Sequence, residues 1–540
     1  MANIFERLIA AVSPQMGAKR ASYRKQIDLI ESARAYDGAS RSRRTAGWGT
    51  SKTAADAELS KAGAILLERS RDLVRNNPYA TKIVAAHADN IIGTGIVPRA
   101  NTGSPDLDAK INKMFDNWSR RASIEGVGDF YGMQYLACRE MVEGGDVLAR
   151  RLYIKSDQPV ASSKPEDQIS PLRIRILEAE YLDSAKNVAS GSGIIVNGVE
   201  MNKDGSRKGY WLFQQHPGAS VQNAKLGRES KRFPAEDIAH LYEMQRQQAR
   251  GAPWLAPIMV SMKDLDDYNQ AELIRKKLEA CMVGVVIPGE DEDAPIGIDE
   301  SGAATGITDA DGFPIERFEP GMFAYMHGGR DIKFNNPAIS AGIESYIRVQ
   351  LRRLASGARI PYELVTGDLS QANYSSNRMG MMQYRRFVEH VQYHMIIPLF
   401  CQPIWEWFIE SLWLMNAIPK DTPVPVNWSP PAHAAINPVE DAKADILEVR
   451  AGFRSMPEVI GSRGRVASDV IKENIEWNTA IDAAGLILDT DPRNVSMNGQ
   501  IQFEASGTDD KDGGGETSPD TPAAKSGKLK KQGKPDGKKS

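Results

Sequence analysis

Apolar residues recur at helical spacing over much of this chain, and the breaks in that rhythm mark where elements end. The stretch from Leu59, LSKAGAILLERSRDLVRNNPYATKIVAAHADNIIGTGIVPRA, predicts two packing helices parted by Asn76-Asn77-Pro78 and closed by Gly93 and Gly95. Further helices are expected over 106–121 and 130–143, the second stopped by Gly144-Gly145. Strand spacing then takes over. LRIRILEAEYLD at 172–183 alternates, and GIIVNGVEMNKDGSRKGYWLFQQH from Gly193 folds back through a turn at Asp204-Gly205. Helical spacing returns from Pro257 to about Cys281, roughly 38 Å at 1.5 Å per residue. It returns again over 339–356, where Ile343, Ile347, Leu351 and Leu354 make one stripe. Between these two helices, FPIERFEPGMFAYM and KFNNP read as short strands.

The segment 359–412, RIPYELVTGDLSQANYSSNRMGMMQYRRFVEHVQYHMIIPLFCQPIWEWFIESL, joins a polar loop to a long helix. Pro361, Gly367 and the run 370–377 are turn formers, whereas from Arg378 onward Met382, Phe387, Val391 and Met395 recur at helical spacing. The most apolar window, 395–415, contains Pro398, Gln402, Pro403, Glu406 and Glu410. Two carboxylates in a bilayer would each cost several kcal/mol, so this window is expected to be a kinked helix buried in protein. A proline-rich connector follows, then helices near 439–451, 456–467 and 469–485.

Length changes the picture first: 540 residues exceed one hydrophobic core and suggest roughly three or four lobes. The formal net charge of -3 excludes a uniformly basic nucleic-acid coat. Charge is instead local. Residues 18–52 hold nine Lys or Arg against three acids and read as a loosely ordered basic arm. Residues 288–312 hold eight acids and no Lys or Arg, so this stretch must be an exposed excursion. Beyond Gln502 the tail is Gly, Ser, Pro, Asp and Lys and is expected to be disordered. Cys138, Cys281 and Cys401 are too far apart for a disulfide framework or zinc spacing, which reads as cytosolic. The N-terminal apolar run carries Glu6 and Arg7 and lacks the order of a signal peptide. No fixed-period repeat is visible.

Reactive chemistry is sparse. No GxxxxGK[ST] element stands in a folded region, so the chain is not expected to hydrolyse ATP. Ser370, Ser375 and Ser376 lack an elbow motif, and Cys281 falls where helical core is expected. His390 and His394 are spaced for one face of a helix, but no third ligand is indicated, and a polar face is the expectation. Trp405, Trp407 and Trp413 lack nearby positive charge and read as core rather than as a base-stacking platform. Asp264, Asp266 and Asp267 would serve a metal-dependent nuclease or hydrolase, or simply solvate a helix surface. Arg275, Lys276 and Lys277 on one long helix and Arg348, Arg352 and Arg353 on the other have two readings. They form rings of charge once copied around an axis, or they pair with neighbours such as Glu344.

The segment 359–412, with RSRDLVRNNPYATKIVAAHADNIIGTGI at 69–96 and RQQARGAPWLAPIMVSMKDLDDY at 246–268, resembles the portal proteins of lambda-like tailed bacteriophages. The resemblance implies an α+β, mostly helical portal fold. It places a basic arm at 1–58, a mixed helix and strand wing lobe at 59–256 and a stem helix at 257–287. An acidic clip lobe at 288–337, a second stem helix at 338–358 and a tunnel loop at 359–377 follow. A long wing helix at 378–415, a helical crown at 416–500 and a disordered tail at 501–540 complete it. It also implies a ring, usually of twelve subunits, at one capsid vertex, through which the terminase motor packages the genome and from which the genome later leaves. The implied partners are further copies of the chain, the terminase large subunit, major capsid and scaffold proteins, head-completion or tail-connector proteins, and double-stranded DNA held without sequence preference. No enzyme activity, cofactor, metal or membrane is implied, and the chain is expected in the virion and, during assembly, in the host cytoplasm.

On this reading Gln371, Asn373, Tyr374 and Ser375 face the DNA, as neutral donors that touch phosphates without gripping them. The six basic stem residues line the channel, and Glu290, Asp291, Glu292 and Asp293 dock terminase or a connector. Acidic walls have a physical use there, since like charge keeps DNA sliding. The alternative from the same setting is another virion structural or head-completion protein without a channel.

Overall fold

The computed structural model describes residues 49–154, 169–190, 193–219, 229–280, 284–288, 323–324, 329–334, 342–370, 374–433 and 437–486, with a few isolated positions elsewhere. Most of the basic arm, the acidic stretch with Glu290, Asp291, Glu292 and Asp293, Cys281 and the tail beyond residue 493 lie outside the described residues. The chain divides into two compact units, residues 1–467 and 468–540.

The first unit opens with α1 (Ala55–Asn76) and α2 (Pro78–Ile91). Asn77 serves both. Its backbone N–H donates to the Leu73 carbonyl, and its side-chain oxygen accepts from the N–H groups of Tyr79 (3.0 Å) and Ala80 (3.1 Å). Pro78 at the first helical position has no N–H to leave unpaired. After β1 (Val97–Ala100) and α3 (Pro105–Ser119) comes α4 (Phe130–Gly144), capped by Asp129, whose carboxylate accepts from the Gly132 N–H at 2.8 Å.

Gly145 ends α4 at φ +93°, and a Cβ there would sit 2.5 Å from the Ala252 carbonyl carbon and 2.7 Å from the Pro253 nitrogen. Backbone atoms cannot swing aside as a side chain can. Gly145→Ala is therefore expected to cost about 2–3 kcal/mol, from left-handed strain plus overpacking, read as a lowered thermal midpoint of the purified chain. An unchanged midpoint would contradict so close an approach.

Three-stranded and five-stranded antiparallel sheets follow. In the first, β2 (Asp146–Tyr153) lies between β3 (Leu172–Glu178) and β9 (Ile238–Tyr242), with Leu148 opposite both Leu177 and His240. The second is a meander of β4 (Val188–Ser190), β5 (Gly193–Val196), β6 (Val199–Asn202), β7 (Arg207–Phe213) and β8 (Ser230–Pro234). The strand expected over 172–183 stops at Glu178, because Ala179–Tyr181 closes a 3₁₀ turn. The turn at Asp204-Gly205 is present, and a second turn at Asn197-Gly198, both at positive φ, precedes it. β9, IAHLY, is buried at every position and so shows no alternation.

The two long helices are α5 (Met259–Ala280) and α6 (Ile343–Gly357). Between them β10 (Gly284–Pro288) pairs with β11 (Phe323–Ala324) in parallel and with β12 (Gly329–Phe334) antiparallel. A short α7 (Tyr362–Thr366) precedes α8 (Tyr374–Val391), which runs through a π-helical stretch, Gln392–Cys401, into α9 (Gln402–Leu414). Pro398 lies inside the π stretch, where the wider turn relieves its ring and missing N–H. β13 (Val426–Ser429) returns to pair with β1, and α10 (Pro438–Arg450) and α11 (Met456–Ser462) follow. α12 (Ala467–Ala484) forms the helix of the second unit.

The main core lies where α2, α3 and α4 meet the π stretch and α9. Phe115, Trp118, Phe130, Trp405 and Phe408 pack with ring centroids 5.2 to 5.9 Å apart. The apolar window from Met395 is thus buried in protein, as its carboxylates and prolines suggested. Glu410 stands at its rim, paired with Arg151 at 2.6 Å. Among the described residues no helix is long and apolar enough to cross a membrane. A second core joins the two sheets through Leu148, Leu177, Val199, Tyr210, Leu212 and Ile238.

Beside that core lies a buried polar network. Asp146 accepts from Arg250 Nε (2.8 Å) and Nη2 (3.0 Å) and lies 3.4 Å from His240 Nε2. Arg207 donates to His240 Nδ1 at 2.8 Å and to the Tyr242 hydroxyl at 2.6 Å.

Candidate nucleic-acid interface

α5 and α6 form an antiparallel pair rooted in the core. At its base Met259, Met262 and Leu265 of α5 and Leu351, Leu354 and Ala355 of α6 are buried, and a Cβ on Gly357 would meet Ile258 Cγ2 at 2.4 Å. Further out the rings of Tyr268 and Tyr346 lie 5.0 Å apart. These two contacts fix the register, and the register places the basic residues. Lys276 lies eight residues beyond Tyr268, and Arg352 lies six residues to the other side of Tyr346, so the two trios are separated by roughly 20 Å along the pair. The structure does not bring the trios together within one chain.

Each trio has its own partners. Arg275 pairs with Glu272 at 2.9 Å, while Lys276 and Lys277 are exposed. Arg348 pairs with Glu344 one turn away, as its spacing suggested, and the Arg352 guanidinium lies 5.6 Å from the centre of the Tyr362 ring. Arg353 is exposed. The Arg348–Glu344 pair, whose acid is largely exposed, contributes about 0–1 kcal/mol.

Where α6 hands over to the loop, the chain makes a fixed joint. Arg359 has φ +60°, a left-handed conformation unusual for a side chain of this size, and the surroundings hold it there. Its guanidinium donates to both Glu243 oxygens (2.6 and 2.8 Å) and lies 4.4 Å from the Trp254 ring centre and 5.0 Å from that of Phe387. Burial alone would raise the Glu243 carboxyl, but Arg359 outweighs it and holds the group below its ordinary range. Beneath, His87 Nε2 donates to the Ala358 carbonyl at 3.0 Å and its Nδ1 accepts from the Tyr384 hydroxyl at 3.2 Å. Burial holds His87 neutral, with its pKa lowered to about 4. None of this joint was singled out from sequence, because its members come from four distant segments. A lone histidine in the apolar stretch of α2 was the one available signal.

The loop itself is more ordered at its start than its composition suggests. α7 packs Val365 into the core, Gly367 turns at φ +70°, and Asp368 accepts from the Ser370 N–H (3.0 Å) and the Tyr362 hydroxyl (3.2 Å). Hydrogen bonds to Ser370, then to Tyr362, keep the Asp368 carboxyl below its usual range. Gln371 and Asn373 lie outside the described residues. Tyr374 and Ser375 open α8, which starts four residues before the periodic pattern at Arg378. Ser375, Ser376 and Asn377 are turn formers, but such residues also begin helices, and that is how they act here.

Other sequence candidates fall into place as follows. Trp405 and Trp407 are buried in the core, and Trp413 packs against it. His390 and His394 lie with ring centroids 5.0 Å apart on α8 and the π stretch. Asp267 pairs with Lys263 on the exposed side of α5, where Asp264 also stands. Cys138 and Cys401 are buried, which pushes both thiols up. The sequence reading missed Glu178, Glu180 and His216, whose ligand atoms lie within 4.8 Å of one another. A cation already occupies that neighbourhood. Arg71 Nε donates to Glu180 at 2.6 Å, and its guanidinium also lies 3.6 Å from Glu178 and 3.3 Å from Glu143.

A family model described as "Phage portal protein, lambda family" matches residues 41–392, which span α1 through α8 and so include both basic helices and the loop after them. The chain belongs to the lambda family of phage portal proteins. The relatives of this portal chain include the "Probable portal protein" of Halomonas phage phiHAP-1, 24% identical over 451 residues, covering 79% of this chain and 82% of the relative. The "Portal protein" of Escherichia phage N15 is 22% identical over 494 residues, covering 82% and 88%. Among solved structures, a chain in "Neck of native GTA particle computed with C12 symmetry" is similar over 73% of this chain and 93% of its own, with 15% identity and a TM-score of 0.40. Another, in "Virion of native gene transfer agent (GTA) particle", covers 78% and 96% at a TM-score of 0.36 and 15% identity.

Proposed function

We propose that this portal chain works as one copy in a closed ring at a capsid vertex, and that the ring is the conduit for double-stranded DNA during packaging and ejection. The observation that carries the reading is the family match running without a break through α5, α6 and the 359–377 loop. The α5–α6 pair supplies a stiff wall rooted in a core, and copying it around an axis turns each basic trio into a separate ring of charge. The loop from Tyr362 to Asn377 lines the narrowest part, with Gln371, Asn373, Tyr374 and Ser375 touching phosphates as neutral donors. The acidic lobe between β10 and β12, through Glu290, Asp291, Glu292 and Asp293, meets terminase and later the head-completion or tail-connector proteins. Capsid and scaffold proteins hold the ring in the virion, and assembly takes place in the host cytoplasm. The work is mechanical and electrostatic, with no bond made or broken by the chain itself.

Negative-stain images of the purified protein test this: closed rings with a central hole are expected, and solitary particles without a bore would end the reading. Deleting residues 370–376 is expected to leave rings intact while packaging or genome retention fails. Normal filling of heads by that variant would refute the assignment of the loop.

A further inference from the structure

Among the described residues four non-glycine positions have positive φ. Three of them, Asn197, Asn416 and Asp421, are of the two types whose short polar side chains tolerate that region. The fourth is Arg359 at φ +60°, where α6 hands over to the loop. Glycine would hold the same backbone without strain, so the turn by itself does not explain an arginine here.

What the side chain touches does explain it. A planar guanidinium can donate along its edge to a carboxylate while its faces lie against aromatic rings. Arg359 does both, with both oxygens of Glu243 just past β9 (2.6 and 2.8 Å), the Trp254 ring centre ahead of α5 at 4.4 Å and that of Phe387 on α8 at 5.0 Å. Phe387 follows the loop in the chain, so the contact crosses from one end of the loop to the other. His87 on α2 makes the same crossing, between the Ala358 carbonyl before the loop and the Tyr384 hydroxyl after it. The two ends of the loop are therefore tied to each other and to the core. Beyond the tie, Ile360 and Val365 are buried, which anchors α7. Gly367 then turns at φ +70°, and a Cβ added there would meet nothing within 4 Å. Left-handed backbone is thus held by side-chain contacts at the root of the loop and left to glycine further out.

We infer that Arg359 is a positioning residue for DNA passage: by joining Glu243 and Trp254 to Phe387 it sets the direction in which the loop leaves the core, and so where the DNA-facing residues stand. Arg359 itself touches no DNA in this role. The assignment rests on the conduit reading above and adds what that reading lacks, the side chain that fixes the loop in place. A bidentate pair suits the task, because two parallel hydrogen bonds hold orientation as well as distance.

Particles assembled with full-chain variants test the role, scored for rings, for thermal midpoint and for heads that retain DNA. Arg359→Gly keeps the left-handed turn and removes the tie. It is expected to form rings with a midpoint close to that of the wild type, while the fraction of DNA-filled heads falls about tenfold. Arg359→Lys keeps the charge beside Trp254 and a hydrogen bond to Glu243, and is expected to recover most of the filling. A role in stability alone would instead lower the midpoint and the filling together. Wild-type filling by Arg359→Gly would overturn the assignment, and so would loss of its rings, which would place the residue in assembly. The deletion of 370–376 separates the two levels. If that deletion fills heads normally, the loop reading itself falls; if it fails to fill while Arg359→Gly fills, only the role of Arg359 falls.

Discussion

Asp146→Ala is expected to destabilise the chain by about 3–5 kcal/mol, because it strands a buried cation. Asp146 is 1% exposed and accepts two hydrogen bonds from Arg250, which lies within the same buried network. Burial alone would raise this carboxyl, but Arg250 and then His240 overcome it and hold the group far below the usual carboxylate range. The pair therefore survives only as a pair. Removing the acid leaves the Arg250 guanidinium with Ser184 Oγ and the Ala179 carbonyl as hydrogen-bond partners and with Glu180, a weaker influence than Asp146, as the remaining nearby negative charge. Urea unfolding of Asp146→Ala, Arg250→Ala and the double variant measures the coupling. The double variant is expected to lose clearly less than the sum of the singles, and simple additivity would show that the two side chains do not stabilise each other.

Lowering the pH from 6.5 to 4 is expected to remove about 3 kcal/mol of stability through His87 alone. The imidazole is fully buried, and its pKa is lowered from 6.5 to about 4, first by burial and then by the Arg359 charge. Between those two values the unfolded chain binds a proton at this position and the folded chain does not. Stability is therefore complete above pH 6.5 and falls as the pH drops through the window. His240, also buried and lowered to about 4, adds a loss of the same sign, while the depressed Asp146 carboxyl loses its contribution only at lower pH. The comparison of wild type with His87→Gln isolates one residue, because other groups titrating in the window, Glu140 among them, are common to both proteins. The variant is expected to show a shallower fall in unfolding free energy between pH 6.5 and 4. An identical slope would mean that His87 is not held neutral by the fold.

These effects sit in places the sequence does not advertise. The break between α1 and α2 was legible because Asn77 and Pro78 act within four residues of themselves. The ends of α4, the span of α5 and the buried character of the 395–415 window were legible for the same reason, since caps, glycines and periodicity are local. The sheet was harder. β2 and β9 owe their state to pairing between residues about ninety positions apart, such as Leu148 with His240. The start of α8 was misplaced by four residues because Ser375, Ser376 and Asn377 suit a loop and a helix start equally well.

The candidate interface divides in the same way. Its elements, two long helices and a polar loop after the second, were readable from period and turn formers, and the family match covers all three. The relation of its charges was not. Only the contacts of Gly357 with Ile258 and Tyr268 with Tyr346 put the two basic trios at different levels.

By itself the sequence determined which stretches are helical, which are charged and which family the chain resembles, because helix caps, turns and local charge act between neighbours in the chain. The tertiary structure decided how α6 meets the loop: Glu243, Trp254, His87 and Phe387 converge on Arg359 and Ala358 from segments far apart in sequence. Bonds across such separations have no signature in spacing, and they exist only once the core has brought the helices together.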